Sequence, residues 1–227
     1  MNIGIIITGI INDYFLDDLV HVYKNCKYTK IISTWDYIDN HIINTLKNND
    51  FIVLQNTFPD DMYKISVNYQ NYSTMKGIEY AESINISHLL RIRADMSLND
   101  INKMIDIYMN IYEKDKIIFF SHYHNNDFTI GYLIDYGHFG DIKDSKKYIC
   151  NFQKQGDERF GEQFRQELCF GTSDLNIINK KVVYSVETLV DNNIEIIFLK
   201  EQYKNQEKVL KVYLENYNKY KNRYIHQ

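Results

Sequence analysis

Proline is almost missing from this chain. One proline in 227 residues leaves no proline-rich linker, and nine glycines leave no glycine-rich hinge or fibrous repeat, so composition gives no place to divide the chain. The three cysteines, Cys26, Cys150 and Cys169, are odd in number and lack paired metal-ligand spacing. That favours reduced, buried thiols over a disulfide framework, as in a cytoplasmic protein. There is no basic excess either: a net charge of -4 offers no face of the kind that nucleic acid or an anionic membrane selects. Long hydrophobic runs are absent, and Ile3 to Ile7 is far too short to span a bilayer and follows no basic n-region. The expectation is a cytoplasmic protein with no nucleic-acid partner and no transmembrane segment.

What is present is 44% apolar content, enough for one full core and not for two. The 20 tyrosines accompany a general wealth of Ile, Asn and Lys. An AT-rich genome imposes that bias whatever the protein does, so tyrosine carries no functional weight. Ile3 to Ile7 is a branched apolar run that Thr8-Gly9 breaks, the mark of a strand covered on both faces. Phe15, Leu16, Leu19, Val20 and Tyr23 recur at helical spacing, and Lys30 to Thr34 returns to strand character. Phe51 to Leu54 is a third strand. A long helical pattern through Tyr69, Tyr72, Met75, Ile78 and Ala81 leads to a strand over His88 to Arg93. Leu98, Ile101, Met104, Ile105 and Tyr108 predict another helix, followed by a strand at 116–120 and a further one ending near Ile134-Asp135. Beyond that, Gly137, Gly140, Gly156 and Gly161 punctuate a looser stretch with two short helices, and 203–220 reads as a Lys-rich terminal helix.

Alternation of strand and helix predicts a single α/β domain over 1–227, Rossmann-type, with a mostly parallel central sheet, flanking helices and a C-terminal helix. Ligands of such sheets lie beyond the carboxyl ends of the strands. Residues 1–135 form the expected half that binds the donor ligand, and 136–227 the acceptor side with the C-terminal helix. After the first strand there is no G-x-G-x-x-G, and the chain has no G-x-x-x-x-G-K, which disfavours dehydrogenases and P-loop enzymes. Polar residues nevertheless gather at strand ends: Thr8-Gly9, Ser33-Thr34-Trp35-Asp36, Arg93-Ala94-Asp95 and Asp135.

These elements resemble a known family. Ser33-Thr34-Trp35, Ser73-Thr74 with Gly77, Arg93-Ala94-Asp95, Asp135 to Gly140 and Glu162-Gln163-Phe164 follow in order the patterns of the WavE lipopolysaccharide-synthesis family. The likeness covers roughly residues 3 to 165. It implies a GT-A-like glycosyltransferase that moves a sugar from a nucleoside-diphosphate donor, a UDP-sugar first, to a hydroxyl of a surface glycan: lipopolysaccharide, capsule or glycoprotein glycan. Donor contacts then fall to Thr8, Gly9, Thr34, Trp35, Asp36, Gln70, Arg93 and Asp95, with Asp95 holding Mn2+ or Mg2+. Glu162 and Asp135 are the two candidates for the catalytic base. The first element reads T-G-I where the family has Q-G-P, and Arg93 stands where many such enzymes carry a first acid.

Each residue also has a plainer role. A strand-end acid can neutralise a leaving diphosphate through a metal; Arg93 and Asp95 can also form an internal ion pair, and guanidinium can meet phosphate directly. Glu162 fits an ordinary helix start, Asp135 a turn cap, and Trp35 a structural brace. His122 and His124 read as surface histidines, and His138 as a ligand or phosphate contact. Two other functions stay open: a sugar nucleotidyltransferase, for which the chain lacks a basic glycine-rich loop, and a catalytically inactive glycan- or partner-binding domain.

Overall fold

The branched apolar run near the start forms β1 (Ile3–Thr8), an interior strand of a seven-stranded sheet. The computed structural model describes residues 1–57, 66–112, 117–119, 137–146, 149, 182–184, 194 and 196–198. In chain order the elements are α1 (Asp13–Tyr23), β2 (Thr29–Trp35), α2 (Asn40–Asn48), β3 (Phe51–Asn56), α3 (Ser66–Ser83), β4 (His88–Arg93), β5 (Met96–Leu98), α4 (Ile101–Ile111), β6 (Ile117–Phe119), β7 (Gly137–Asp141), β8 (Val182–Tyr184) and β9 (Ile196–Phe198). The large sheet runs β3-β2-β1-β4-β7-β6-β8. β1 pairs in parallel with β2 and β4, and β2 with β3. β7 runs against both its neighbours, β4 and β6, and β8 again parallels β6. The mostly parallel α/β sheet with flanking helices is thus the architecture expected.

Side chains of a pleated strand alternate between faces, and the core divides accordingly. Ile5, Ile7, Ile32, Leu90 and Ile92 pack with α1, α2 and α4 on one face. Ile6, Ile31 and Leu89 pack with Met75, Ile78 and Ala81 of α3 on the other. Each fully buried Ile or Leu contributes about 1.5 to 3 kcal/mol relative to exposure, so these β-branched strands explain why the chain folds around β1. Asp100 caps α4, accepting from the backbone N–H of Lys103 at 2.9 Å.

Three details differ from the sequence pattern. Leu98 belongs to β5, paired with β9 in a small antiparallel sheet, because Asp100 starts the helix only at Ile101. α2 lies where the pattern named no element: its buried stripe is only Ile42, Ile43 and Leu46. Gly137 and Gly140, read as punctuation, lie inside β7, where register against Ile92 and Leu89 of β4 overrides their low strand propensity. That strand puts residues beyond 136 into the same sheet as the first half. The expected strand end at Ile134-Asp135 and the terminal helix at 203–220 lie outside the described residues.

Candidate functional site

At the carboxyl edge of β1, Thr8 is buried and its hydroxyl accepts from Arg91 Nε at 3.2 Å, while its carbonyl accepts from the Ala94 N–H at 2.8 Å. β1 and β4 therefore stay joined one residue past their ladder. Gly9 then turns away with φ at 132°, a conformation that L side chains rarely adopt. A Cβ there would meet Ala94 Cβ at an ordinary 3.5 Å, so backbone conformation rather than space reserves the position for glycine. Thr34 Oγ1 donates to the Gly9 carbonyl at 2.8 Å and pins the turn to β2.

Beside it, Ser33, Asn56 and α3 form a buried polar chain. Asn56 Nδ2 donates to Ser33 Oγ at 2.9 Å and to the Thr34 carbonyl at 2.7 Å, and Ser33 Oγ donates to the Ser73 carbonyl at 2.6 Å. Gly77, one helical turn on, lets α3 lie against the sheet: a Cβ there would sit 2.5 Å from Ile6 Cγ2. Trp35 is 3% exposed and stacks on Tyr72 of α3, ring centres 6.2 Å apart and planes 11° from parallel. The hydroxyls of Ser73 and Thr74 donate to the Gln70 carbonyl at 3.2 and 2.7 Å. Gln70 lies in the second turn of a helix that begins at Ser66.

β4 ends at Arg93, and Asp95 sits in the turn beyond rather than on the strand. From there its carboxylate reaches back and accepts from Arg93 Nε at 2.9 Å and Nη2 at 2.7 Å. The side chains are 31% and 14% exposed, so solvent reaches this two-pronged pair. Arg91, two residues earlier, is 2% exposed and sits opposite His138 of β7. Burial first, and the Arg91 cation second, push the His138 imidazole down to about 3, so at neutral pH it is an uncharged core ring and not a charged phosphate contact. Asp36 is exposed after β2, and its N–H donates to the Asn56 carbonyl at 3.0 Å.

The edge thus gathers Thr8, Gly9, Thr34, Trp35, Asp36, Arg93 and Asp95 at adjoining strand ends, and ties the adjacent α3 to them. Thr8, Thr34 and Trp35 serve the fold there through the bonds just described. Among the described residues no three or more His, Cys, Asp or Glu side chains converge. Both Asp95 oxygens accept from Arg93, so the carboxylate expected to hold the cation is engaged by a guanidinium here. Glu162 and Asp135, the expected bases, and His122 and His124 lie outside the described residues. Ser33, Asn56 and Asn71 were not singled out as site residues. Of these, Asn56 carried a signal, an amide closing an apolar strand, whereas the burial of Asn71 on α3 appears only once the helix is docked.

No protein-family model matches the chain, and no curated protein matches it. Among solved structures, 4-diphosphocytidyl-2C-methyl-D-erythritol synthase from Anaerococcus prevotii DSM 20548 is similar at 14% identity and a TM-score of 0.49, covering 81% of this chain and 86% of that one. A glycosyltransferase involved in the glycosylation of the major capsid of PBCV-1 is similar at 11% identity and a TM-score of 0.47, covering 81% of each.

Proposed function

We propose that the chain is a GT-A-like glycosyltransferase, similar to the WavE family, that moves a sugar from a nucleoside-diphosphate donor, with UDP-sugars as the first class to test, to a hydroxyl of a surface glycan. One observation carries this reading. Three motifs that resemble the family, Ser33-Thr34-Trp35, Ser73-Thr74-x-x-Gly77 and Arg93-Ala94-Asp95, meet at or beside one carboxyl sheet edge, the first two joined by the Ser33–Ser73 hydrogen bond. Such edges are where open α/β sheets hold their ligands.

In this reading the acceptor hydroxyl attacks the anomeric carbon, the bond from that carbon to the diphosphate oxygen breaks, and the diphosphate leaves with both electrons. Arg93 supplies positive charge where that negative charge develops. Glu162 or Asp135 takes the hydroxyl proton. Mn2+ or Mg2+ is the usual aid to such a departure, and it would need Asp95 released from Arg93.

A second reading, a domain that binds sugar nucleotide or glycan without catalysis, draws on the same Arg93–Asp95 pair, because Arg93 stands where many such enzymes carry a first acid. Thermal shift against a panel of nucleotides and sugar nucleotides, with and without manganese, tests binding, since a ligand raises the melting temperature by mass action. Donor hydrolysis under the same conditions separates the two readings. Stabilisation without any release of UDP leaves the binding domain standing, and no stabilisation by any member of the panel removes both.

A further inference from the structure

We propose that Asp95 is an internal anion that occupies the Arg93 guanidinium until an oxyanion of the ligand's diphosphate replaces it, so that the site takes its diphosphate without a divalent cation. This rests on the glycosyltransferase reading only in naming diphosphate as the ligand's anion.

The geometry is that of a ligand already in place. Nε and Nη2 of Arg93 each meet a separate Asp95 oxygen, at 2.9 and 2.7 Å. A phosphate group presents the same edge of two oxygens to the same planar fork. Arg93 is the last residue of β4 and lies level with Thr8 across the ladder, next to the Gly9 turn, at the open edge of the sheet. With 31% of its side chain exposed it is reachable, whereas Arg91, two residues back on the same strand, is sealed at 2%. One guanidinium serves the core and the other faces the ligand edge.

On the Asp95 side, exchange is a side-chain rotation. The backbone around Asp95 is fixed by the Ala94 N–H bond to Thr8 and by buried Met96, Ser97 and Leu98 of β5. A partly exposed ion pair is also weak enough for a diphosphate, with its greater charge, to displace. Held this way, the arginine is kept in the orientation that phosphate needs. The carboxylate competes with the ligand, so its removal should strengthen binding. A metal ligand at the same position behaves in the opposite way, which makes the sign of one substitution decisive.

The test is calorimetric titration of the full chain with inorganic pyrophosphate and with UDP, in EDTA and then in manganese, for the wild type, Asp95→Asn and Arg93→Lys. The expected result is binding in EDTA, tightened about two- to fivefold by Asp95→Asn, the reciprocal of an ion pair of this exposure, and weakened by Arg93→Lys, which keeps charge but loses the fork. Binding that appears only with manganese, or that Asp95→Asn weakens or leaves unchanged, overturns the exchange. If a UDP-sugar binds normally while Asp95→Asn changes nothing, only the exchange falls; if no nucleotide or pyrophosphate binds at all, the glycosyltransferase reading falls with it. Should Asp95→Asn fail to fold, NMR titration of the wild type decides, because pyrophosphate must then move both the Arg93 Nε–H and the Asp95 carboxyl carbon signals. Saturation without movement of either overturns the proposal.

Discussion

The Ser33 hydroxyl donates to the carbonyl of Ser73 at 2.6 Å, inside the interface between β2 and α3. That carbonyl is also the natural acceptor of the Gly77 N–H four residues on, so strand and helix share one acceptor. Ser33 in turn accepts from Asn56 at 2.9 Å, and both serines are at most 1% exposed. Two short sequence motifs forty residues apart are therefore two halves of one packing contact.

Ser33→Ala should leave the Asn56 amide with only the Thr34 carbonyl and remove the link to α3. The cost of leaving a buried donor partly unsatisfied is about 1 to 3 kcal/mol. Urea denaturation should show a lower midpoint with an unchanged slope. A midpoint equal to the wild type would mean that the network contributes nothing net.

Gly77→Ala should destabilise by about 1 to 3 kcal/mol through overpacking, because the new Cβ would lie 2.5 Å from Ile6 Cγ2. Moving that branch off Cβ with Ile6→Leu should recover part of the loss, and the double mutant should be less destabilised than the sum of the singles. Strict additivity in thermal denaturation would place the clash elsewhere.

The pH dependence of stability follows from His138. Its folded value, pushed down to about 3 by burial and by Arg91, lies below the ordinary 6.5 of an unfolded histidine. Below 6.5 the unfolded chain binds a proton that the folded chain refuses, so this stability is present above 6.5 and is lost as pH falls from there toward 3. Partly buried His88 shifts the same way, chiefly by desolvation. The slope attributable to His138 approaches about 1.4 kcal/mol per pH unit. His138→Gln should flatten denaturation midpoints between pH 6 and 4.5 by about one proton's worth, and an identical slope in the variant would reassign the effect.

Much of this architecture was legible because parallel strands covered on both faces must be continuous apolar runs. Ile3 to Ile7 and His88 to Arg93 announce themselves, and the helices with broad apolar stripes follow. β7 was not legible, since its glycines satisfy strand pairing only by register with β4, a fact of tertiary structure. At the sheet edge, strand ends placed Thr8, Gly9, Thr34 and Arg93 near one another, whereas the return of the Asp95 carboxylate to Arg93 depends on the turn after β4, which strand periodicity does not describe. Spacing also had no means of telling that Trp35 finds a stacking partner in Tyr72, because that contact depends on how α3 docks.

The two arginines of β4 should respond oppositely to substitution. Arg91 is enclosed, 2% exposed, with Nε given to Thr8, so Arg91→Ala strands the hydroxyl and leaves a buried void. Losing a buried hydrogen bond from a charged group costs about 1.5 to 3 kcal/mol and the void adds to that, so the variant should unfold at clearly lower urea or fail to accumulate. Arg93→Ala removes a pair that solvent reaches, so Asp95 can turn to water and the loss should be smaller than that of Arg91→Ala. Its effect should fall on ligand binding, and unequally: UDP should lose affinity while uridine, which carries no phosphate for the guanidinium to meet, should bind as before. Titrating both ligands against folded Arg93→Ala separates the roles. Equal loss for uridine and UDP would mean that the Arg93–Asp95 pair shapes the turn rather than the anion site, and a stability loss as large as that of Arg91→Ala would return both arginines to the core.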